Sequence, residues 1–227
     1  MTLLDRLLTP ATVTDTGTRT GRFHHLTLET PAPLPWTPGQ QIRVHVNGLA
    51  GPRRTYSVWD RRDRSLELRV LDHENAGPGA RWARTAVPGT RVRIGRPEGG
   101  LVPRPGDHHL FLGDETASAA FGPMMRALHA RGAQVTALIE VADENDRLPL
   151  PGDVTWTYRE GPPSSPSPTF LRALSAFPLP TTPPVTYLAG EARTLQSLRT
   201  HLTHHHAWPR RTILTKPFWT PGKRGLE

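Results

Sequence analysis

The spacing of apolar residues changes near residue 105, and this change constrains the fold more than any other feature of the chain. Before it, short strand-like segments are separated by turn signals such as the Pro-Gly pairs of WTPGQ and VPGT. Six such segments within about 100 residues predict a small antiparallel barrel, which removes exposed sheet edges by closing on itself. The predicted strands are ATVTDTGT, FHHLTLET, QQIRVHV, RTYSVW, LELRVL and TRVRIG, with one short helix, GPGARWARTA, before the last.

From about residue 108 the pattern alternates between strand and helix. HLFLGD precedes the helical segment ASAAFGPMMRALHARG, and VTYLAG precedes EARTLQSLRTHLTHHH. This alternation predicts a doubly wound α/β domain, with a parallel sheet that binds ligands at the carboxyl ends of its strands. We therefore predict two domains, a six-stranded antiparallel β-barrel over 1–105 and an α/β domain over 106–227.

The absence of cysteine from all 227 residues limits the chemistry that the chain can perform. It excludes disulfides, thiolate metal sites and iron–sulfur clusters held by cysteine. His201, His204 and His205 lie on one face of the last predicted helix, but no carboxylate is near them in sequence, so we predict no metal site. If the protein transfers electrons, an organic cofactor must carry them.

The charge and hydropathy of the chain limit the kinds of partner that it can bind. Lys and Arg outnumber Asp and Glu by 28 to 20, but the arginines are scattered and only Lys216 and Lys223 are lysines. This pattern favours an anionic small molecule over nucleic acid. The apolar runs are far shorter than a membrane span of roughly 20 residues, and MTLLDRLLTP is a poor signal peptide. We expect a cytoplasmic protein, a monomer that binds neither membrane nor nucleic acid.

A barrel followed by a doubly wound domain is typical of proteins in which the barrel holds a flavin and the α/β domain holds a nicotinamide. Five phrases strengthen this interpretation: RTYS (54–57), HENAGPGARWA (73–83), LFLGDET (110–116), YLAGEA (187–192) and FWTPG (218–222). In their order and spacing they resemble siderophore-interacting proteins, the FAD-dependent ferric-siderophore reductases of the ferredoxin-reductase superfamily. The resemblance runs over nearly the whole chain.

The resemblance implies that RTYS binds FAD. Arg54 can donate a planar pair of N–H groups to the phosphates, and Tyr56 can lie along the isoalloxazine or ribityl edge. Ser57 can reach a ring heteroatom with its hydroxyl or its amide, and Thr55 completes the motif. The alternative is an ordinary strand with a surface arginine and a half-buried tyrosine.

AGPGARWA is expected to face the pyrophosphate from the other side. Gly77 and Gly79 allow close backbone approach, Pro78 fixes a turn, and a helix that begins near Ala80 directs its free amides at an anion. His73 is a further candidate contact to a phosphate or ribose. Trp82 is expected to pack against the core.

The remaining phrases are expected to border the cofactors from the second domain. Asp114 and Thr116 are candidate FAD contacts, with Thr116 as a helix N-cap, and Gly113, Gly190 and Glu191 are placed on the nicotinamide side. The acidic residues of GDET disfavour phosphate contacts through side chains.

The C-terminal phrase PFWTPG is rich in aromatic residues, and Trp219 is predicted to cover the second face of the flavin. A basic rim would attract an anionic ferric siderophore; its candidates are Arg43, Arg53, Lys216, Lys223 and Arg224. Two residues depart from the family pattern. Trp59 stands where a second arginine is usual, so either Arg53 or Arg61 replaces it or the flavin or substrate contacts differ. Glu98 stands where some relatives have a basic residue.

We therefore predict a reductase that uses FAD to reduce the Fe(III) of a siderophore to Fe(II), with NADH or NADPH as the electron donor. A ferredoxin is the alternative donor. The alternative functions are a general NAD(P)H–flavin oxidoreductase or ferredoxin-reductase-like electron-transfer protein and, more distantly, a basic binding module without redox chemistry.

Overall fold

The structure is a computed structural model that describes residues 8–17, 19–46, 48, 51–73 and 77–222. The chain divides into two compact units, Met1–Val102 and Pro103–Glu227. The boundary that we predicted from the sequence, between residues 105 and 106, lies a few residues further along the chain.

The first unit is a closed antiparallel barrel of six strands, in the order β1-β2-β5-β4-β3-β6, with β6 pairing again with β1. This confirms the predicted barrel. Helix α1 lies between the fifth and the sixth strands. The elements are β1 (Thr9–Asp15), β2 (Phe23–Glu29), β3 (Gln41–His45), β4 (Arg53–Arg62), β5 (Ser65–Leu71), α1 (Pro78–Thr85) and β6 (Arg91–Ile94).

Alternation of apolar and polar residues builds the barrel interior. In β5, for example, Leu66, Leu68 and Val70 are buried while the residues between them are not, as expected for a strand with one face towards a core. Helix α1 adds Trp82 and Ala83 to the same apolar cluster. Trp82 thus packs in the core, as predicted.

The second unit is a parallel sheet of five strands in the order β11-β10-β7-β8-β9. It confirms the predicted α/β architecture. The elements are β7 (His108–Asp114), α2 (Glu115–His129), β8 (Gln134–Val141), β9 (Asp153–Tyr158), α3 (Pro168–Ala176), β10 (Val185–Glu191), α4 (Ala192–Thr200) and β11 (Ile213–Trp219). Short turns of 3-10 helix cover Glu144–Asp146 and Arg210–Thr212, and His201–His205 forms a π-helical turn after α4.

Strand β11 was not predicted, because we assigned the aromatic residues of PFWTPG to the flavin rather than to the sheet. It pairs in parallel with β10 at the edge of the sheet, where Gly190 lies opposite Pro217. Proline cannot donate a ladder hydrogen bond, so it occurs mainly in edge strands. This placement brings Trp219 beside Glu191 at the carboxyl end of β10.

The sheet reverses its order at its centre. β7 comes first in the chain, β8 and β9 continue on one side of it, and β10 and β11 lie on the other. Helices α2 and α4 begin at the carboxyl ends of the adjacent strands β7 and β10. No helix in the described ranges combines the length and apolar character needed to cross a membrane.

Candidate functional site

Strand β4 places Arg54 and Tyr56 on the inner face of the barrel. In the pairing with β3, Arg54 lies opposite Val44 and Tyr56 lies opposite Ile42. Both partners are buried in the core, and directly opposed residues share one face of a sheet. Arg54 and Tyr56 therefore face inwards together, as the sequence alternation predicts.

The two hydroxyl residues of RTYS lie on the outer face of the same strand. Thr55 is opposite Arg43, and Ser57 is opposite Gln41. Thr55 is exposed and Ser57 is half-buried. Of the four residues of the motif, the structure thus places only Arg54 and Tyr56 on the inner face.

The hydroxyl of Tyr56 is buried and has no hydrogen-bond partner in the part of the chain that the structure describes. Its ring lies 5.7 Å from the ring of Trp82, measured between centroids. Burial raises the pKa of the Tyr56 phenol above its usual value, while the charge of Arg54 lowers it by less. The phenol therefore keeps its proton at neutral pH, and an acceptor on a bound molecule would satisfy it.

Gly79 allows helix α1 to lie directly against β4. A Cβ added at this position would stand 2.5 Å from the hydroxyl oxygen of Tyr56 and 3.1 Å from Cγ of Arg54. At Gly77, by contrast, an added Cβ would meet nothing within 4 Å. At Gly79 the absence of a side chain is thus already required by the contact between α1 and β4, and the approach of a phosphate to the two glycines stays a prediction.

The first turn of α1 has the character of an anion site. Its N-cap, Gly77, provides no side-chain cap, its first turn contains no acidic residue, and Pro78 occupies the first helical position. First-turn amides have no acceptor within their own helix, and the helix dipole is positive at this end. Gly79 and Ala80 in this turn are buried, and Gly79 lies against the side chains of Arg54 and Tyr56.

Arg54 is half-buried at the same place. One of its terminal nitrogens, Nη1, donates to the carbonyl oxygen of Arg53 at 2.6 Å. A guanidinium has five N–H donors, and this bond orients the group while using one of them. The exposed His73 follows β5, and the residues after it, 74–76, lie outside the described residues.

A buried carboxylate fixes the other end of α1, and sequence reasoning missed it. Asp72 accepts two bonds from Arg84 of α1, at 2.6 and 3.1 Å, and one contact of 3.0 Å with Nε2 of His24. The bond with Arg84 holds the pKa of Asp72 well below its usual range. Strand β5 and helix α1 are therefore tied together, which sets the direction of the uncapped N-terminus.

Trp59, which stands in place of an arginine, is buried and lies beside an arginine of the neighbouring strand. The guanidinium carbon of Arg69, on β5, lies 5.3 Å from the centroid of the Trp59 ring, a cation–π distance. Arg61 instead bonds the hairpin carbonyl of Asp63 at 3.5 Å. The expectation that Arg53 or Arg61 takes the role of the missing arginine, or that the flavin or substrate contacts differ, stays a prediction.

In the α/β unit, Asp114 is the N-cap of α2, so our prediction of Thr116 as the cap was wrong. Oδ1 of Asp114 accepts the amide of Thr116 at 2.9 Å and also its hydroxyl. Oδ2 accepts the amide of Glu191 and the indole N–H of Trp219, both at 2.8 Å. Burial, and then the charge of Glu115, raise the pKa of Asp114 to about 6.

Glu191 caps the next helix in the same way. Its carboxylate accepts the amides of Arg193 and Thr194, at 3.0 and 2.7 Å, and the Thr194 hydroxyl at 2.9 Å. Burial opposes ionisation, but these bonds together lower the pKa of Glu191. The residue is 3% exposed, so its side chain serves the fold of α4.

The two glycines predicted on the nicotinamide side are packed tightly against other residues of the α/β unit. A Cβ at Gly113 would stand 2.5 Å from the carbonyl oxygen of Ala189, and a Cβ at Gly190 would stand 2.5 Å from Oδ2 of Asp114. Gly190 also has a φ of +133°, which side chains rarely adopt. Both positions thus require glycine for packing.

A buried ion pair network, also missed from the sequence, lies beside these caps. Arg159 donates to Glu115 at 2.5 and 2.9 Å and to Glu140 at 3.5 Å. Glu140 accepts a bond of 2.5 Å from the Ser167 hydroxyl. Burial raises the pKa of Glu140. No sequence motif links these residues, which come from separate elements.

The residues predicted for a basic rim differ in their exposure and in their ion pairs. Arg43 forms an ion pair with Glu98 at 2.8 Å, so the acidic departure neutralises one member of the rim. Arg53 is exposed on β4, and Lys216 is half-buried on β11. Lys223 and Arg224 lie outside the described residues.

The histidine-rich segment forms a surface cluster in which Nε2 of His201 lies 3.3 Å from Nε2 of His206. Within the residues that the structure describes, no group of three or more His, Asp or Glu side chains is arranged to hold a metal ion.

Two family profiles match the chain, and their boundaries follow its two units. The siderophore-interacting FAD-binding domain matches residues 23–101, and the siderophore-interacting protein profile matches residues 106–222. Among characterised sequences, the mycobactin import ATP-binding/permease protein IrtA of Mycolicibacterium smegmatis is 31% identical over 162 residues. These are 68% of this chain but 18% of that protein, so the chain spans about a fifth of its length.

Solved structures match over nearly the whole chain. A siderophore utilization protein from T. fusca is 26% identical, with a TM-score of 0.76 and coverage of 96% of this chain and 94% of that one. The siderophore-interacting protein of Acinetobacter baumannii is 18% identical, with a TM-score of 0.82 and coverage of 95% and 91%. The ferredoxin reductase in carbazole 1,9a-dioxygenase is 20% identical, with a TM-score of 0.77 and coverage of 93% and 69%, which shows a shared fold.

Proposed function

The chain belongs to the siderophore-interacting protein family, and on this premise we propose that it is an FAD-dependent reductase that releases iron from ferric siderophores. The substrate is an Fe(III)–siderophore complex, and the product is Fe(II), which hard oxygen chelators hold far more weakly. The donor of electrons is NADH or NADPH, or a reduced ferredoxin.

The barrel unit offers FAD a site made of four parts. Arg54 and the first-turn amides of α1 would hold the pyrophosphate, the Tyr56 hydroxyl would donate to a ribityl or ring acceptor, and the backbone of Ser57 would reach the ring edge. Bound FAD supplies the redox chemistry, since it accepts two electrons and can release them singly. The contacts of Thr55, His73 and Trp219 with the cofactor stay predictions.

One observation carries this assignment. The Tyr56 hydroxyl is buried without a hydrogen-bond partner among the described residues, and it lies against Gly79 in the first turn of α1. A buried donor without an acceptor costs about 1–3 kcal/mol, and the chain has placed it beside an uncapped helix terminus and a guanidinium. This set of donors fits a ligand that carries both anionic phosphates and neutral acceptors, as FAD does.

The siderophore assignment is supported by the family and by charge. The net charge of +8 favours encounter with anionic ferric chelates. Arg53 and Lys216 are the described candidates for contact with the substrate, while the ion pair with Glu98 reduces the contribution of Arg43. We expect modest rather than strong preference for anionic complexes.

The proposal is tested without any biological electron donor. The protein is loaded with FAD, separated from free cofactor, reduced photochemically under anaerobic conditions and mixed with a ferric hydroxamate and a chromogenic Fe(II) chelator. We expect two Fe(II) per FAD, in a saturable reaction. Bound FAD that reduces free flavin or oxidised ferredoxin but no ferric chelate would instead identify a general oxidoreductase, and a protein that binds no FAD would contradict both functions.

The cytoplasmic location, the monomeric state and the absence of nucleic-acid binding stay predictions.

A further inference from the structure

The histidine-rich segment after α4 is not used by the proposed reaction. Helix α4 connects the parallel neighbours β10 and β11, so it runs back from the carboxyl ends of these strands towards their amino ends. The π-helical turn His201–His205, which follows α4, therefore lies at the edge of the sheet opposite Asp114 and Glu191. A ligand of this segment would be bound away from the carboxyl ends of β7 and β10.

His201 and His206 lie against one another at this turn. Their Nε2 atoms are 3.3 Å apart, and their ring centroids are 5.1 Å apart. The backbone bonds of a π-helix join residues five positions apart, which is the spacing of these two histidines. The turn therefore brings both rings onto one side of the chain, and turns of this type occur frequently at functional sites.

The distance between the two nitrogens matches a shared zinc ion better than a hydrogen bond. Two nitrogens bound to one tetrahedral Zn²⁺ at about 2.0–2.1 Å lie roughly 3.3–3.4 Å from each other. A hydrogen bond from an N–H donor is ordinarily shorter, with about 2.9–3.0 Å between the heavy atoms. A neutral imidazole with its proton on Nδ1 presents a lone pair at Nε2, which is a form that binds metals.

Buried neighbours hold the two histidines in place. Leu202 follows His201 and is fully buried, and Trp208, two residues after His206, is 4% exposed. The Trp208 amide donates to the carbonyl oxygen of Leu202 at 3.0 Å, and Ala207 between them has a φ of +54°, which closes the turn in the left-handed conformation. The core thus sets the positions of the two rings, unlike those of a flexible run of histidines.

The electrostatics of the turn favour a cation. The C-terminal end of a helix carries partial negative charge. Burial, and then the charges of His206 and His205, lower the pKa of His201, so its ring is neutral at pH 7. His201 also borders an open pocket lined by Gln196 and Thr200, where water molecules can complete the coordination of an ion.

We propose that His201 and His206 form a two-histidine site for Zn²⁺, completed by water. The prediction of no metal site rested on the absence of a nearby carboxylate, and two imidazoles at this distance do not need one. The ion would tie the end of α4 to the segment that leads into β11. The site has fewer protein ligands than the three or four of catalytic and structural zinc sites, so it should exchange its ion readily. It does not depend on FAD or on the proposed reaction.

Zinc binding is measured by calorimetry with ZnCl₂ on the full chain, loaded with FAD and carrying no histidine tag. For the parent we expect one Zn²⁺ per chain, with a Kd of about 10–100 µM. His201→Gln and His206→Gln should each weaken binding at least about tenfold, since the loss of even an outer partner of a metal ligand typically costs that much. His204→Gln is the matched control, because His204 is exposed in the same turn but is not one of the pair, and it should bind like the parent.

A second measurement needs no variant. Diethyl pyrocarbonate modifies imidazole nitrogens, and a peptide map shows which histidines have reacted. Zn²⁺ at ten times its Kd should slow the modification of His206 about tenfold, because only about one site in eleven is then free. His204, which is also exposed, should react at its original rate.

Three results would overturn the inference. A parent Kd above about 1 mM would show that the pair is only a hydrogen bond. Equal weakening by all three substitutions, or equal protection of His204 and His206, would indicate a flexible histidine run. Binding that neither His201→Gln nor His206→Gln weakens would place the ion elsewhere. The protection experiment on the parent decides the matter even if a variant does not fold.

Discussion

The hydroxyl of Tyr56 lies where a side chain at position 79 would begin, since a Cβ added to Gly79 would stand 2.5 Å from that oxygen. This relationship joins the two sequence motifs of the barrel unit, RTYS and AGPGARWA, at one atom. It explains why the second glycine of AGPG is needed even before any ligand binds. Four predictions follow from the barrel unit and one from the α/β unit.

Gly79→Ala should push α1 away from β4, because the added Cβ would stand 2.5 Å from the Tyr56 hydroxyl oxygen and 3.1 Å from Cγ of Arg54. Overpacking of this kind typically costs about 1–3 kcal/mol of the free energy of unfolding, and we expect at least about tenfold weaker FAD binding. Denaturant unfolding of the FAD-free protein and fluorescence quenching of FAD measure the two effects. Gly77→Ala is the matched control, since its Cβ would meet nothing within 4 Å, and it should leave the unfolding free energy unchanged. Equal destabilisation by both substitutions would contradict this account.

Tyr56→Phe should lower the affinity for FAD without lowering the stability of the FAD-free protein. Removing the unpartnered hydroxyl should leave the FAD-free protein as stable as the parent or more stable, because a desolvated donor is lost. FAD affinity should fall by about 2- to 13-fold, which is the loss expected when the free energy of one ordinary hydrogen bond is removed. Thermal unfolding without FAD, set beside FAD titration, distinguishes this result from a general loss of packing, in which stability and affinity would fall together.

Arg54→Ala should weaken FAD binding by roughly 10- to 150-fold, the value of a charge-assisted bond of about 1.5–3 kcal/mol. The fold should survive, since the side chain is only half-buried. Arg61→Ala, on the same strand but bonded to the hairpin carbonyl of Asp63, is the control and should bind FAD like the parent. Unchanged affinity in the Arg54 variant would remove this residue from the cofactor site.

Glu98→Gln should release Arg43 from its 2.8 Å ion pair and strengthen the attraction of anionic ferric chelates. We expect a rise of a few fold in kcat/KM for an anionic complex, decreasing with salt because exposed charges are screened over about 8–10 Å at ordinary ionic strength. Arg43→Gln should have the opposite effect, and a neutral hydroxamate complex should respond to neither. Equal changes on charged and neutral complexes would place the iron substrate elsewhere.

The Asp114 carboxyl should make the protein less stable as pH rises from about 4 to 6. Its pKa is raised to about 6 by burial and by Glu115, so in this window the folded state holds a proton that the unfolded state has released. Asp114→Asn should remove this slope while lowering stability overall, because its one oxygen cannot serve both Thr116 and the pair formed by the Glu191 amide and the Trp219 indole.

The readout is the difference in unfolding free energy between parent and Asp114→Asn across pH 4–8. A difference is needed because His25, whose pKa burial lowers to about 4, acts in the opposite direction: its folded form stays neutral, so its contribution rises with pH. A difference curve that is flat between pH 4 and 6 would show that Asp114 titrates normally.

The sequence by itself determined the architecture and the location of the cofactor motifs. Alternating apolar residues predicted the barrel strands, and the later strand–helix alternation predicted the parallel sheet, because both periods report which face of an element is buried. RTYS and AGPGARWA could also be recognised from the sequence, because each is a local pattern on one strand or at the start of one helix.

Tertiary structure alone decided what these residues touch. Asp114 meets the Glu191 amide and the Trp219 indole across 77 and 105 residues of chain, and Arg159 meets Glu115 across 44. No local period encodes such pairs, because they form only when separate strands end at the same edge of a sheet. For that reason the sequence suggested Thr116 as a cap, while the folded chain uses Asp114. Likewise the sequence suggested two glycines for phosphate, while in the folded chain Gly79 also allows α1 to lie against Tyr56.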